Sequence, residues 1–70
     1  MDIKPGKYRH FKGNYYEVIG VARHSETMEP MVVYRALYGE GGLWVRPAAM
    51  WTQMVDRDGY HGPRFQYVGE

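Results

Sequence analysis

A mainly β domain of five short antiparallel strands is the fold class this sequence predicts, and three observations predict it. Five short stretches rich in aromatic and β-branched residues recur along the chain, each bounded by Gly, Pro, Asn, Asp or Ser. One of them, from Tyr15 to His24, carries an internal glycine, Gly20, where a strand bends or bulges. Only one stretch, Ala48-Ala49-Met50-Trp51 directly after Pro47, reads as helical, because proline suits the first position of a helical turn. Short strands that bend close most readily as a small SH3-like five-stranded barrel; the alternative is a strongly curved antiparallel sheet with one short helical turn packed on it.

The elements follow in order. Pro5-Gly6 marks the onset of order, so residues 1–6 are expected to be loosely ordered and 7–68 to form a single β domain. Lys7 to Phe11 is the first strand. Lys12-Gly13-Asn14 is a turn, since Gly and Asn tolerate positive φ. Tyr15 to His24 is the long second strand, and Ser25 to Pro30 a polar loop. Met31 to Tyr38 is the third strand, Gly39-Glu40-Gly41-Gly42 a tight connection, and Leu43 to Arg46 the fourth strand. Asp56-Arg57-Asp58-Gly59 reads as a loop, and Phe65 to Val68 as a last strand returning to an edge.

The bulk properties narrow the classes. Seventy residues make one domain, and 44% hydrophobic with 16% aromatic residues suffices for one core. With no cysteine there is neither a disulfide framework nor a thiolate metal site, so the aromatics must supply the buried area. The formal net charge of +1 gives no strong field toward nucleic acid or anionic membrane, despite a local excess of Lys4, Lys7, Arg9 and Lys12 near the start. No apolar run has the length of a membrane span, and the first residues lack a signal-like apolar stretch, so the expected location is cytoplasmic.

Read together, Tyr8-Arg9-His10-Phe11-Lys12-Gly13, Tyr16-Glu17-Val18, Ala22-Arg23-His24-Ser25-Glu26-Thr27, Val32-Val33-Tyr34-Arg35-Ala36-Leu37-Tyr38-Gly39 and Leu43-Trp44-Val45-Arg46-Pro47 form an ordered string. That string resembles the small bacterial family known as domain of unknown function 1653, over about Lys7 to Phe65. The resemblance implies a shared fold and carries no catalytic or binding residue to transfer. Other members often have Leu-Glu-Met-Phe after the Arg-Pro; here Ala48-Ala49-Met50-Trp51 stands there, which changes the bulk beside Arg46-Pro47 but not the charge of that pair.

The candidate chemistry concentrates in Leu43 to Arg46. Residues two apart on a strand share a face, so Leu43 and Val45 are expected in the core and Trp44 and Arg46 on the opposite side. Trp and Arg are the residues most enriched at binding hot spots, and together they stack on bases or peptide side chains. The structural alternative is that Arg46 stacks on Trp44 or a tyrosine to cover a greasy face. On the third strand Met31, Val33, Arg35 and Leu37 share one face and Val32, Tyr34, Ala36 and Tyr38 the other, and alternation alone does not say which is core. If Arg35 lies on the core side it needs a partner, Glu17 or Glu26.

His24-Ser25-Glu26-Thr27 combines a base, hydroxyls and a carboxylate, but His24 and Ser25 project oppositely in an extended chain and no nucleophile-elbow pattern surrounds them. Turn chemistry explains the same residues. His10, His24 and Glu26 lack zinc-ligand spacing, so no metal and no cofactor are expected. The seven tyrosines, interleaved with arginines, suit either a stacking surface or a core of amphipathic side chains.

These residues point first to a non-catalytic binding module for a peptide, a protein or a single-stranded nucleic acid, with Trp44, Arg46, Arg35, His24, Glu26 and Tyr38 as the binding set and no catalytic or metal residue. The alternatives are a small hydrolase-like or metal-dependent site around His24 to Thr27, and a structural module that forms a weak homodimer through the second face of Met31 to Tyr38.

Overall fold

Turn chemistry sets the order of the strands. The computed structural model describes residues 3–69. In chain order the elements are β1 (Gly6–His10), β2 (Tyr15–Arg23), β3 (Pro30–Ala36), β4 (Leu43–Pro47), α1 (Ala48–Trp51), β5 (Met54–Arg57), β6 (Tyr60–Pro63) and β7 (Phe65–Gly69). The β1–β2 turn closes with the Gly13 N–H donating to the His10 carbonyl and the His10 N–H to the Asn14 carbonyl, both at 2.8 Å. Gly13 sits at φ 108°, in the region that glycine occupies without penalty.

Five strands form one antiparallel sheet in the order β4-β3-β2-β1-β7, and β5 and β6 form a separate hairpin. The sheet is open, with β4 and β7 as its edges. Two irregularities curl it. Val18 pairs with Tyr34 and Gly20 with Val33, which leaves Ile19 as an extra residue at the bend that Gly20 predicts. On β7, Tyr67 pairs with Tyr8 and Gly69 with Lys7, which leaves Val68 over. The curl is visible in the core: β3 and β7 stand three strands apart, about 14 Å in a flat sheet, yet the rings of Tyr34 and Phe65 lean together to 6.4 Å.

The hollow of the curled sheet is the core. Tyr8, Val18, Val32, Tyr34 and Phe65 line it, and Ala48 and Trp51 of α1 close over it. Ala48 and Trp51 are three apart, hence on one side of the helical turn. Trp51 lies flat on Phe65, with centroids 3.7 Å apart and planes 3° from parallel, and meets Tyr8 edge-on at 5.4 Å and Tyr34 at 4.9 Å. Ile3 packs against this cluster and the Tyr8 hydroxyl donates to the Lys4 carbonyl at 2.9 Å, so part of the segment before β1 is held down. Met1 and Asp2 lie outside the described residues.

Register settles which face is which. Val32, Tyr34 and Ala36 are buried, so the even-numbered side of β3 is the core side. Val32 pairs with Arg46 and Tyr34 with Trp44, which puts Trp44 and Arg46 over the hollow. Leu43 and Val45 are 61% and 60% exposed on the outer face, contrary to the expectation that they enter the core. The reason is positional. β4 is an edge strand, its parity is dictated by β3, and its side of the hollow is covered by an aromatic ring and an arginine stem rather than by aliphatics. Arg35 lies on the outer face directly opposite Glu17, with the charges 3.7 Å apart and both side chains about half exposed. Exposed pairs of this kind contribute about 1 kcal/mol at most.

The β5–β6 hairpin replaces the loop expected around Asp56 to Gly59. Arg57 pairs with Tyr60 across Asp58 and Gly59, both with positive φ (53° and 80°), the two-residue hairpin turn that Asp-Gly favours. Val55 and Gly62 supply its buried side.

Candidate functional site

The site grows out of the point where β3 leaves the sheet. Beyond Ala36 the chain reverses through Gly39 and Gly41, at φ 60° and 68°, and re-enters β4 with the Ala36 N–H donating to the Gly42 carbonyl at 3.2 Å. This tight glycine loop lifts Tyr38 and Trp44 to either side of an opening. Tyr16 of β2 and Tyr34 and Ala36 of β3 form its floor, and Glu40 stands on its rim. The cleft encloses about 300 Å³, the lower end of the range for small-ligand sites.

Its chemistry is aromatic and weakly polar. The rings of Tyr34 and Tyr38 each stand edge-on to Tyr16, at 5.6 Å. The Tyr16 and Tyr38 hydroxyls share a hydrogen bond of 2.8 Å. Burial, followed by that bond and the neighbouring phenols, pushes the Tyr16 pKa up to about 12. Tyr16 is therefore a neutral hydrogen-bonding phenol at physiological pH and not a base. Trp44 remains 60% exposed above them.

Arg46 continues the cleft along the same face of β4. Its guanidinium lies over the Phe65 ring at 5.6 Å, and its Nε is buried with no hydrogen-bond acceptor among the described residues. His10 packs against the same Phe65 ring, ring to ring at 4.9 Å, and also meets Tyr16 edge-on at 6.3 Å. Burial first, then the charges of Arg64, Arg46 and Lys12, hold the His10 pKa below its ordinary value. Its Nδ1 accepts the Lys12 N–H at 3.1 Å.

The six residues of the expected binding set divide three ways. Tyr38 and Trp44 line the cleft and Arg46 adjoins it. Arg35 is on the outer face with Glu17. His24 and Glu26 sit at the opposite end of β2, where they build a turn. The His24 N–H donates to the Glu29 carbonyl at 2.8 Å, and His24 Nδ1 accepts the N–H of Glu26 at 3.1 Å and of Thr27 at 3.4 Å. The Glu29 N–H donates to Thr27 Oγ1 at 3.2 Å. His10 and His24 thus do not converge, and among the described residues no three His, Asp or Glu side chains are grouped to hold a metal ion.

Tyr16, Tyr34, Glu40 and His10 were not in the expected set as cleft residues. The legible signal was Gly39-Glu40-Gly41-Gly42: a glycine-rich connection between two aromatic-bearing strands leaves room for a ligand beside them.

Comparison with known proteins adds the following. The family described as protein of unknown function (DUF1653) matches residues 6–67. A crystal structure of a DUF1653 protein from Bordetella bronchiseptica is similar with a TM-score of 0.90 and 44% sequence identity, over 97% of this chain and 90% of that one. The curated proteins contain no match.

Proposed function

We propose that this chain, which belongs to the DUF1653 family, is a non-catalytic binding module whose ligand enters the cleft of Tyr16, Tyr34, Tyr38 and Trp44 beside Arg46. The observation that carries the reading is Trp44. A tryptophan side chain presents about 150–250 Å², so full burial is worth about 4–6 kcal/mol at 25 cal/mol per Å². With 60% of Trp44 in solvent, more than half of that is left unused by the fold and available to a ligand. The hydroxyls of Tyr16 and Tyr38 beside it give such a ligand hydrogen bonds, and the arginine gives orientation. Peptides and single-stranded nucleic acids are the ligand classes that aromatic and arginine platforms of this kind take. The turn role of the His24 imidazole speaks against catalysis there, since its Nδ1 is already committed to two backbone donors.

The test is the anisotropy of fluorescein-labelled peptides and oligonucleotides titrated with the protein, repeated on Trp44→Ala and Arg46→Gln. A ligand whose affinity ignores both changes removes the site.

A second reading rests on the outer face. Leu43 and Val45 stand exposed on an edge strand, next to half-buried Met31 and Val33, and edge strands with apolar faces pair with other chains. Sedimentation of a monomer at the highest soluble concentration would eliminate a homodimer through this face.

A further inference from the structure

We propose that the aromatic cleft continues into an anion subsite made by Arg46, Arg64, His10 and Lys12 around the Phe65 ring, and that the ligand is a single-stranded nucleic acid. This rests on the reading of the Trp44 cleft as a ligand site. In it a base stacks on Trp44 or Tyr38 and a phosphate meets the two arginines.

The first observation is convergence on one ring. Arg46 comes from β4 and lies over Phe65 at 5.6 Å. His10 comes from β1 and packs against the same ring at 4.9 Å. Arg64 directly precedes Phe65 and is anchored on both sides, its N–H donating to the Gln53 carbonyl at 2.9 Å and its own carbonyl accepting from the Phe11 N–H at 3.0 Å. Lys12 is tied to His10 through its backbone.

The second observation is that neither arginine has a carboxylate partner among the described residues. Among the described residues the ion pairs are Arg35 with Glu17 and His61 with Asp56. Among the described residues Arg46 and Arg64 each bury Nε without an acceptor, and the one side-chain bond that either makes is a long one, Arg64 Nη2 to Gln53 Oε1 at 3.5 Å. Their guanidinium planes are thus held by packing, and no described carboxylate neutralises their remaining amines. The His10 pKa is lowered by burial first and then by the charges of Arg64, Arg46 and Lys12, which places these cations near its ring. Desolvated cationic donors without an acceptor are costly, and an anionic oxygen is the partner that relieves them.

The third observation selects the ligand. Trp44 and Arg46 stand two residues apart on one face of β4, about 7 Å along a strand. A nucleotide spans such a gap between its base and its phosphate. Glu40, the acid of the cleft, lies at the glycine-loop end away from Arg46, which directs phosphates toward the arginines. The chain's net charge of +1 makes this a local site with no long-range field.

The experiment uses the full chain and a fluorescein-labelled oligothymidylate of about ten nucleotides, followed by anisotropy across salt concentrations, with inorganic phosphate alone and an acidic peptide as comparison probes. Expected results are saturable oligonucleotide binding, a loss of roughly five- to a hundredfold for Trp44→Ala and of similar size for Arg46→Gln and Arg64→Gln, and a shallower salt dependence by about 0.7 in log–log slope per arginine removed. Arg64→Lys should keep the salt slope that Arg64→Gln loses, which a merely structural arginine would not show. The His10 pKa, followed by NMR, should rise on binding. Oligonucleotide affinity and salt slope unchanged in both Gln variants would overturn the anion subsite. Preference for the acidic peptide, or a response to free phosphate but not to the oligonucleotide, would overturn the nucleic-acid assignment. In each of these cases a ligand still lost on Trp44→Ala leaves the cleft reading standing, whereas indifference of every ligand to Trp44→Ala ends both.

Discussion

Replacing Trp51 by alanine should remove most of the stability of this domain. Trp51 is 2% exposed, lies flat on Phe65 and touches Tyr8 and Tyr34, so it joins α1 to both ends of the curled sheet. Truncating a buried tryptophan costs about 3–5 kcal/mol. Its aromatic pairs add about 0.5–1.5 kcal/mol each beyond buried area. Against this, the Trp51 Nε1 is buried with no acceptor among the described residues, and removing that unpaired donor returns about 1–3 kcal/mol. With three such pairs and the middle of each range, the net is a loss of about 5 kcal/mol. At about 0.05–0.15 kcal/mol per residue, a chain of this length holds only about 3.5–10 kcal/mol in total. Trp51→Ala should therefore be largely unfolded or close to it in urea denaturation followed by far-UV circular dichroism. Trp51→Phe keeps a ring on Phe65 and discards the unpaired N–H, and should lose about 1 kcal/mol. An alanine variant within about 1 kcal/mol of the parent, or a phenylalanine variant as damaged as the alanine one, would refute the assignment of Trp51 as the pillar of the core.

Three further outcomes follow from the same geometry. Val45→Lys, on the exposed outer face of β4, should change stability by less than about 0.5 kcal/mol, whereas a position in the core would not tolerate the charge; urea midpoints compare it with Val32→Ala, which should lose about 2 kcal/mol or more. Gly62→Ala should destabilise by about 1–3 kcal/mol, because a Cβ there would stand 2.8 Å from the Tyr60 hydroxyl, whose bond to the Pro63 carbonyl fixes its position; thermal denaturation measures it. Since His10 in the fold titrates below its ordinary 6.5, chiefly through burial and the charges of Arg64, Arg46 and Lys12, the unfolded chain takes up its proton first as the pH falls. The stabilisation from neutral His10 is present above about pH 6.5 and is lost as the pH drops through the folded value; denaturation series on the parent and His10→Gln should show that part of the acid dependence vanish in the variant.

Strand content was legible because composition and punctuation carried it. Aromatic and β-branched stretches stood between Gly, Pro and Asn, and Gly20 marked the bulge where Ile19 falls out of register. The β5–β6 hairpin was legible in principle from Asp58-Gly59, but its strands lack the apolar alternation of the others, since Gly62 and Val55 alone make up its buried side. The face of β4 was not legible. Both sides of Leu43 to Arg46 are bulky, and only pairing with buried Val32 and Tyr34 decides which side meets the hollow. The candidate site shows the same division. Tyr38, Trp44 and Arg46 were visible as residue types, while Tyr16, His10 and Arg64 reach the same region from distant parts of the chain through the curl of the sheet. His24 to Thr27 looked reactive because the residues that bond a turn also populate active sites.

Trp44 is held out for a ligand and not for the fold, and Trp44→Ala separates the two when its stability and its binding are measured together. Its stability from urea denaturation should lie within about 1 kcal/mol of the parent, while oligonucleotide affinity falls roughly fivefold or more. A variant destabilised by more than about 2 kcal/mol that still binds with the parent's affinity would contradict it.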